Sequence, residues 1–222
     1  MPINPELKIC FIHIPKTGGT SIETLIPNIH PNNLIGIEPW KKQNSNYDTL
    51  FGNNLQHLTF NEIIKLKPEV INENYFIFTA VRNPYDRLIS LISWKDGRWK
   101  KNNSISQREF NNYITDLEKR WIKCKLNIHE KPQHQFIDEN YIDYIIKLEE
   151  MNEETFRDIN SIIKIKNFDI NFEFEYNVDC QRMKSNHNHY LEYYNKNTKA
   201  IQIVNNIYYM DFKKFGYSII QN

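Results

Sequence analysis

The chain has 222 residues and 26.8 kDa, and 40% of it is hydrophobic and 14% aromatic, enough for a full core and too apolar for a disordered protein. Its 28 Lys and Arg against 27 Asp and Glu leave a net charge of +1, without the overall basic excess of a general nucleic-acid or membrane-surface binder. The three cysteines, Cys10, Cys124 and Cys180, are widely spaced and form neither a CxxC nor a zinc pattern, which points to a reduced setting. No apolar signal-peptide segment opens the chain and no run reaches transmembrane length. The expectation is a soluble, cytoplasmic protein, with residues 1–222 as a single domain.

Residues 7–14 read as a strand, buried along the apolar run 9–14, with His13 as a core or sheet-edge residue. The run stops at Pro15 and passes Lys16-Thr17-Gly18-Gly19 into a helix expected over 20–26. Strand, glycine loop and helix start together can hold a phosphate, because backbone N–H groups point at the anion and glycine lets the main chain approach closely. A plain tight turn is the alternative reading of Gly18-Gly19. The loop is not a Walker A motif, G-x-x-x-x-G-K-[ST]: Lys16 precedes the glycines, and Thr20 stands where that motif has its lysine.

Residues 31–54, rich in Asn, Pro and Gly, read as a long loop, and His57 stands just before a helix over 59–66 capped by Thr59. The next strand, 75–81, runs into Arg82, a cation where a kinase would need a carboxylate to help hold Mg²⁺. Arg82 falls at a strand end, where ligands gather in open α/β sheets, and its planar fork suits a phosphate dianion. Asn83 and Pro84 are a good N-cap and first residue for a helix over 84–94. Arg87 and Ser90 share a face of that helix. A salt bridge from Arg87 to a core carboxylate is expected, and Ser90 reads either as an ordinary helix serine or as a ligand contact.

Residues 95–106 form another loop. Trp94 and Trp99 among Lys95, Arg98, Lys100 and Lys101 suit a sugar face, or equally a solvated loop with one buried Trp. A helix over 107–121, a strand over 144–148 and helices over 153–163 and 198–212 complete the chain. The alternation predicts an α/β protein with a parallel sheet. His187-Asn188-His189 lacks further ligands at useful spacing and does not read as a metal site.

Phe11-Ile12-His13-Ile14-Pro15-Lys16-Thr17-Gly18-Gly19-Thr20-Ser21 resembles the 5′-phosphosulfate loop of the sulfotransferases that use 3′-phosphoadenosine 5′-phosphosulfate (PAPS). Arg82-Asn83-Pro84-Tyr85-Asp86-Arg87-Leu88-Ile89-Ser90 resembles their R-x-P-x-x-R-x-x-S element. Pro132-Gln133-His134-Gln135-Phe136-Ile137, Ile146-Lys147-Leu148-Glu149-Glu150 and the segment from Tyr208 to Tyr217 resemble later landmarks in the right order, so the likeness spans nearly the whole chain. The pattern is that of the carbohydrate sulfotransferases of the heparan and chondroitin type.

The resemblance implies a P-loop-like central parallel β-sheet flanked by helices and an enzyme moving a sulfuryl group from PAPS to an acceptor hydroxyl, releasing adenosine 3′,5′-bisphosphate. It implies that Lys16 contacts the bridging or leaving oxygen, that Thr17, Gly18, Gly19, Thr20 and Ser21 supply donors to the 5′-phosphate, and that Arg82 and Ser90 hold the 3′-phosphate. Lys184, in Met183-Lys184-Ser185-Asn186, corresponds to a further phosphate contact in a loop that closes over the cofactor. His57 lies where related enzymes keep a catalytic histidine and is expected to be the general base, with His134 as second candidate. The transferred group carries less charge than a phosphoryl group, so protein cations suffice and no metal is expected. The acceptor is expected to be a glycan or small hydroxyl-bearing molecule, short or neutral rather than a long polyanion, with no nucleic acid and no membrane segment involved. Two other readings stay open: a P-loop small-molecule kinase, disfavoured by the misplaced lysine, and a non-catalytic nucleotide-binding protein, disfavoured by the retained Lys16, Arg82, Ser90 and a base.

Overall fold

The apolar run after Lys8 becomes a strand because every side chain in it finds cover. In the computed structural model, which describes residues 3–26, 55–95, 105–166, 172–176 and 188–221, strand β2 (Ile9–Ile12) is buried at all four positions. A short strand β1 (Ile3–Asn4) precedes it, and helix α1 (Gly19–Glu23) follows. A 3-10 turn over Leu55–His57 leads to α2 (Phe60–Leu66) and α3 (Glu69–Asn72), then β3 (Phe76–Val81) and α4 (Pro84–Lys95). Helix α5 (Gln107–Ile122), a 3-10 turn over Gln133–Phe136 and β4 (Tyr144–Lys147) come next. After a 3-10 turn at Leu148–Glu150 the chain forms α6 (Glu153–Ile165), α7 (Leu191–Tyr194), α8 (Thr198–Ile207) and α9 (Tyr209–Phe215).

These elements divide into two compact units, one of Met1–Val81 with Gln135–Met183 and one of Arg82–His134 with Lys184–Asn222. The first is α/β. Its sheet has the order β1-β2-β3-β4, with β2, β3 and β4 parallel and β1 antiparallel at the edge. The expected parallel sheet is therefore present, with an added antiparallel edge strand too short to show a pattern in sequence. Unbroken burial along β2 and β3 suits parallel strands. Ile9, Phe11, Phe76, Phe78, Ala80 and Ile146 form one face, packed by Ile22 of α1 and by Phe156, Ile159 and Ile163 of α6. Polar groups fix the register at both ends: Thr79 donates its hydroxyl to the carbonyl of Ile12 (2.8 Å), and the Ile77 N–H donates to Asp143, which also pairs with Lys166 (2.6 Å).

The second unit is helical among its described residues. Its core joins α4, α5, α7, α8 and α9 through Tyr85, Phe110, Tyr194, Val204, Tyr208 and Phe212. The single helix expected over 198–212 is two helices, because Tyr208 leaves helical geometry (φ −108°, ψ 18°) and its buried hydroxyl donates to the carbonyl of Glu130 (2.9 Å). Helix starts follow local chemistry. Asn83 accepts the N–H of Tyr85 (3.0 Å), and Thr59, Ser106 and Asn152 each close a capping box.

Candidate functional site

At the end of β2 the chain enters the glycine loop through a backbone that only a few residue types adopt at low cost. Lys16 has φ +68° and Gly18 φ +81°. A non-glycine residue in the left-handed region costs about 1–3 kcal/mol and persists where its surroundings hold it. Here buried Thr17 does so: its hydroxyl donates to the carbonyl of Ile14 (2.9 Å), so that proton braces the loop. Left-handed Gly18 followed by helical Gly19 is the dihedral sequence of an anion-binding nest. A Cβ on Gly18 would lie 2.7 Å from the Leu148 side chain, and one on Gly19 would lie 2.3 Å from the His13 ring. Gly18 is thus required by space and by conformation, and helical Gly19 by space alone.

Helix α1 is shorter than the expected 20–26, with five residues. Its dipole is correspondingly small. Lys16, Gly18, Thr20 and Ser21 are half-buried, while Thr17 and Gly19 are buried.

His57 reaches this loop through His13. Its Nδ1 lies 3.0 Å from the carbonyl oxygen of His13. A carbonyl can only accept, so Nδ1 carries a proton, and in a neutral ring Nε2 is the unprotonated nitrogen. The two rings also meet edge to face at 4.6 Å. Buried His13 donates from Nδ1 to Glu23 Oε1 (2.5 Å), and Gln56 donates to Glu23 Oε2 over a longer 3.4 Å. Lys16, Thr17, Gly18, Gly19, Thr20, Ser21 and His57 therefore all belong to the α/β unit. Glu23 was not legible as a site residue, because nothing in a helix's fifth residue signals a partner ten positions earlier.

In the helical unit Arg82 is fixed by both its backbone and its side chain. Gln133 accepts the Arg82 N–H (2.9 Å) and donates back to the Arg82 carbonyl (2.8 Å). The guanidinium donates to Asp86 through Nε (2.8 Å) and Nη2 (2.7 Å), a pairing one helical turn apart. Gln133 is held in turn by fully buried Asp211, which accepts the N–H groups of Gln133 (2.7 Å) and His134 (2.8 Å). His134 Nδ1 lies 2.7 Å from the same carboxylate. The sequence landmarks around Arg82, Gln133 and Asp211 are thus one connected brace, which residue spacing alone does not reveal.

Arg87 is 3% exposed and donates to the carbonyls of His129 (3.2 Å) and Lys131 (3.0 Å). Its guanidinium is thus buried and bonded to two main-chain carbonyls. Burial opposes its charge and pulls its pKa below the usual guanidinium value. Ser90 is also 3% exposed, so its hydroxyl could hold an anion only where that anion is itself enclosed. Trp94 is exposed and stacks on His129 at 4.9 Å. Lys184, His187 and residues 96–101 lie outside the described residues.

With this geometry in hand, the chain was compared with known proteins. The model described as the sulfotransferase family matches residues 1–218. No curated protein and no solved structure matches the chain.

Proposed function

This chain belongs to the sulfotransferase family, and from that premise we propose that it transfers a sulfuryl group from PAPS to a sugar hydroxyl, with His57 as general base. The observation that carries the reading is the bond from His57 Nδ1 to the His13 carbonyl, which makes Nε2 the proton-accepting nitrogen of a neutral ring in a segment tied to the Lys16 loop. The family match runs through both units and supports reading residues 1–222 as one sulfotransferase domain.

PAPS, when bound, supplies a neutral SO₃-like group whose bond to a phosphate oxygen breaks as a bond to the acceptor oxygen forms. The loop suits such a ligand: the Gly18-Gly19 nest offers N–H groups to a 5′-phosphate. Lys16 stabilises the negative charge that develops on the leaving oxygen. Preorganised charge of this kind is often the largest single catalytic contribution. His57 takes the proton of the acceptor hydroxyl on Nε2. Arg82 and Ser90 hold the 3′-phosphate, with Arg82 set in advance by Gln133 and Asp86. Lys184 is a further phosphate contact on the same reading. The Trp94–His129 stack supports a sugar-like acceptor, since an exposed indole face suits a ring with apolar C–H edges.

Calorimetry with adenosine 3′,5′-bisphosphate in a metal-free buffer and label transfer from PAPS across a panel of glycans and small hydroxyl compounds test the reading. Lys16→Ala should keep bisphosphate binding and lower turnover about 10²–10³-fold. His57→Ala should lower it about 10²–10⁴-fold. Normal turnover by both variants would overturn the mechanism. Mg²⁺-dependent consumption of ATP would replace it with the kinase reading.

A further inference from the structure

His13 is an anomaly in its strand. Its neighbours Phe11, Ile12 and Ile14 are apolar and buried, and an imidazole at 4% exposure among them needs its polar atoms satisfied. Glu23 satisfies Nδ1 at 2.5 Å, with side-chain exposures of 5% for His13 and 18% for Glu23. The ring is boxed in on its other sides. Phe11 lies tilted against it at 5.9 Å, the His57 ring meets it edge to face, and Gly19 approaches so closely that an added Cβ would stand 2.4 Å from His13 Nε2. An imidazole tied at one nitrogen and walled on its faces cannot turn, and this holds the carbonyl of the same residue in place. That carbonyl is the acceptor for His57 Nδ1–H. Glu23 also reaches the residue before His57, through Gln56 at 3.4 Å.

We propose that the His13–Glu23 pair is a positioning device that fixes the tautomer and orientation of His57 and ties that histidine to the phosphate loop. The proposal rests on the reading of His57 as the general base. Its physical content is specific. His57 can expose Nε2 as a proton acceptor only while Nδ1 keeps its proton on a well-placed carbonyl, and His13 supplies that carbonyl only while its ring is anchored. Gly19, first residue of the helix that closes the loop, rests on the same ring, so a shift of the loop is felt at the base. Glu23 and His13 touch no reacting atom in this scheme; they act through His57.

Sulfate release from PAPS with water as acceptor serves as the probe reaction, measured for Glu23→Ala, His57→Ala and the double variant, together with bisphosphate affinity. Glu23→Ala should slow release about 10–100-fold, as removing a histidine's orienting partner commonly does, with bisphosphate affinity within about threefold, well short of the about 1.4 kcal/mol of a tenfold change. In the His57→Ala background the same change should cost nothing further. Nitrogen NMR of the imidazoles gives a readout independent of turnover: wild-type His57 should be the Nδ1–H tautomer and Glu23→Ala a mixture. Glu23→Gln, which can still accept from His13, should recover most of the rate, and it replaces the alanine variant in the cycle if that variant does not fold. An Nε2–H tautomer in the wild type, or an equal loss from Glu23→Ala in both backgrounds, overturns the proposal. If His57→Ala alone leaves the rate unchanged, the base assignment fails, and the tautomer spectra still decide whether the pair holds His57.

Discussion

The α/β unit and the helical unit both bury polar groups and both bend the backbone into the left-handed region, and the bends at the glycine loop stand apart from the others. In the helical unit the residues with positive φ end helices: Cys124 follows α5, Lys196 follows α7 and Gly216 caps α9. That is where such a conformation satisfies last-turn carbonyls. In the α/β unit Asn74 likewise follows α3 and Lys8 leads into β2, whereas Lys16 and Gly18 bend the chain before a helix. The buried carboxylates differ in the same sense. Glu130, fully buried, accepts from Arg120 Nε (3.0 Å) and Nη2 (2.7 Å), from the Tyr113 hydroxyl (2.7 Å) and from the Asn127 N–H (3.2 Å). Burial works against its charge, but these hydrogen bonds win and hold its pKa below the ordinary 4.5. Glu23 is less enclosed and has the imidazole of His13 and the amide of Gln56 on its two oxygens. A carboxylate filled from all sides stabilises a fold. One that hands its hydrogen bonds to a histidine relay can serve chemistry.

Glu130→Ala should be the sharpest break of this contrast. It leaves Arg120 and Tyr113 without their anion and should lower stability by about 3–5 kcal/mol in a denaturant titration; an unchanged midpoint would remove the contrast. The same residue predicts an acid limb. Its folded pKa is depressed, so its contribution is complete above about pH 4.5 and fades as pH falls through the folded value, and Glu130→Gln should flatten stability against pH below 4.5. Gly19→Ala comes next, because its Cβ would meet the His13 ring at 2.3 Å. A displacement near 1 Å of the loop should lower turnover about 10²-fold, with a smaller change in thermal midpoint than Glu130→Ala; the reverse ranking would mean that the loop is structural. Thr59→Ala removes the cap of α2 and should cost about 1 kcal/mol in the same titration. Lys119→Ala, at a pair with side-chain exposures of 65% and 58%, should leave the midpoint where it is.

Most of the frame was legible because it is written locally. The helix beginning at Pro84 and the one beginning at Phe60 follow from Asn83 and Thr59, residues whose side chains bond N–H groups two or three positions on. The strands at Ile9 and Phe76 follow from unbroken apolar runs. The break at Tyr208 was not legible, since its cause is a hydroxyl bond to Glu130, 78 residues away. Nor was the clasp of Gln133 on Arg82, which spans 51 residues and depends on a buried amide that reads in sequence like any other glutamine.

By itself the sequence determined the strands, the helix starts, the glycine loop with its early lysine and the family to which the chain belongs, because each is set by neighbours within a few positions or by motifs in fixed order. Only the tertiary structure decided that β1 pairs antiparallel at the edge, that Asp211 and Gln133 brace Arg82, and that His57 gives its Nδ1 proton to a carbonyl 44 residues earlier. The division has a physical reason. Capping and strand burial act through bonds a short chain segment can make alone, whereas a buried polar group takes whatever partner the packed core brings within reach. His13 marks the boundary: the sequence shows a histidine in a strand, and the fold makes it the link between the glycine loop and His57.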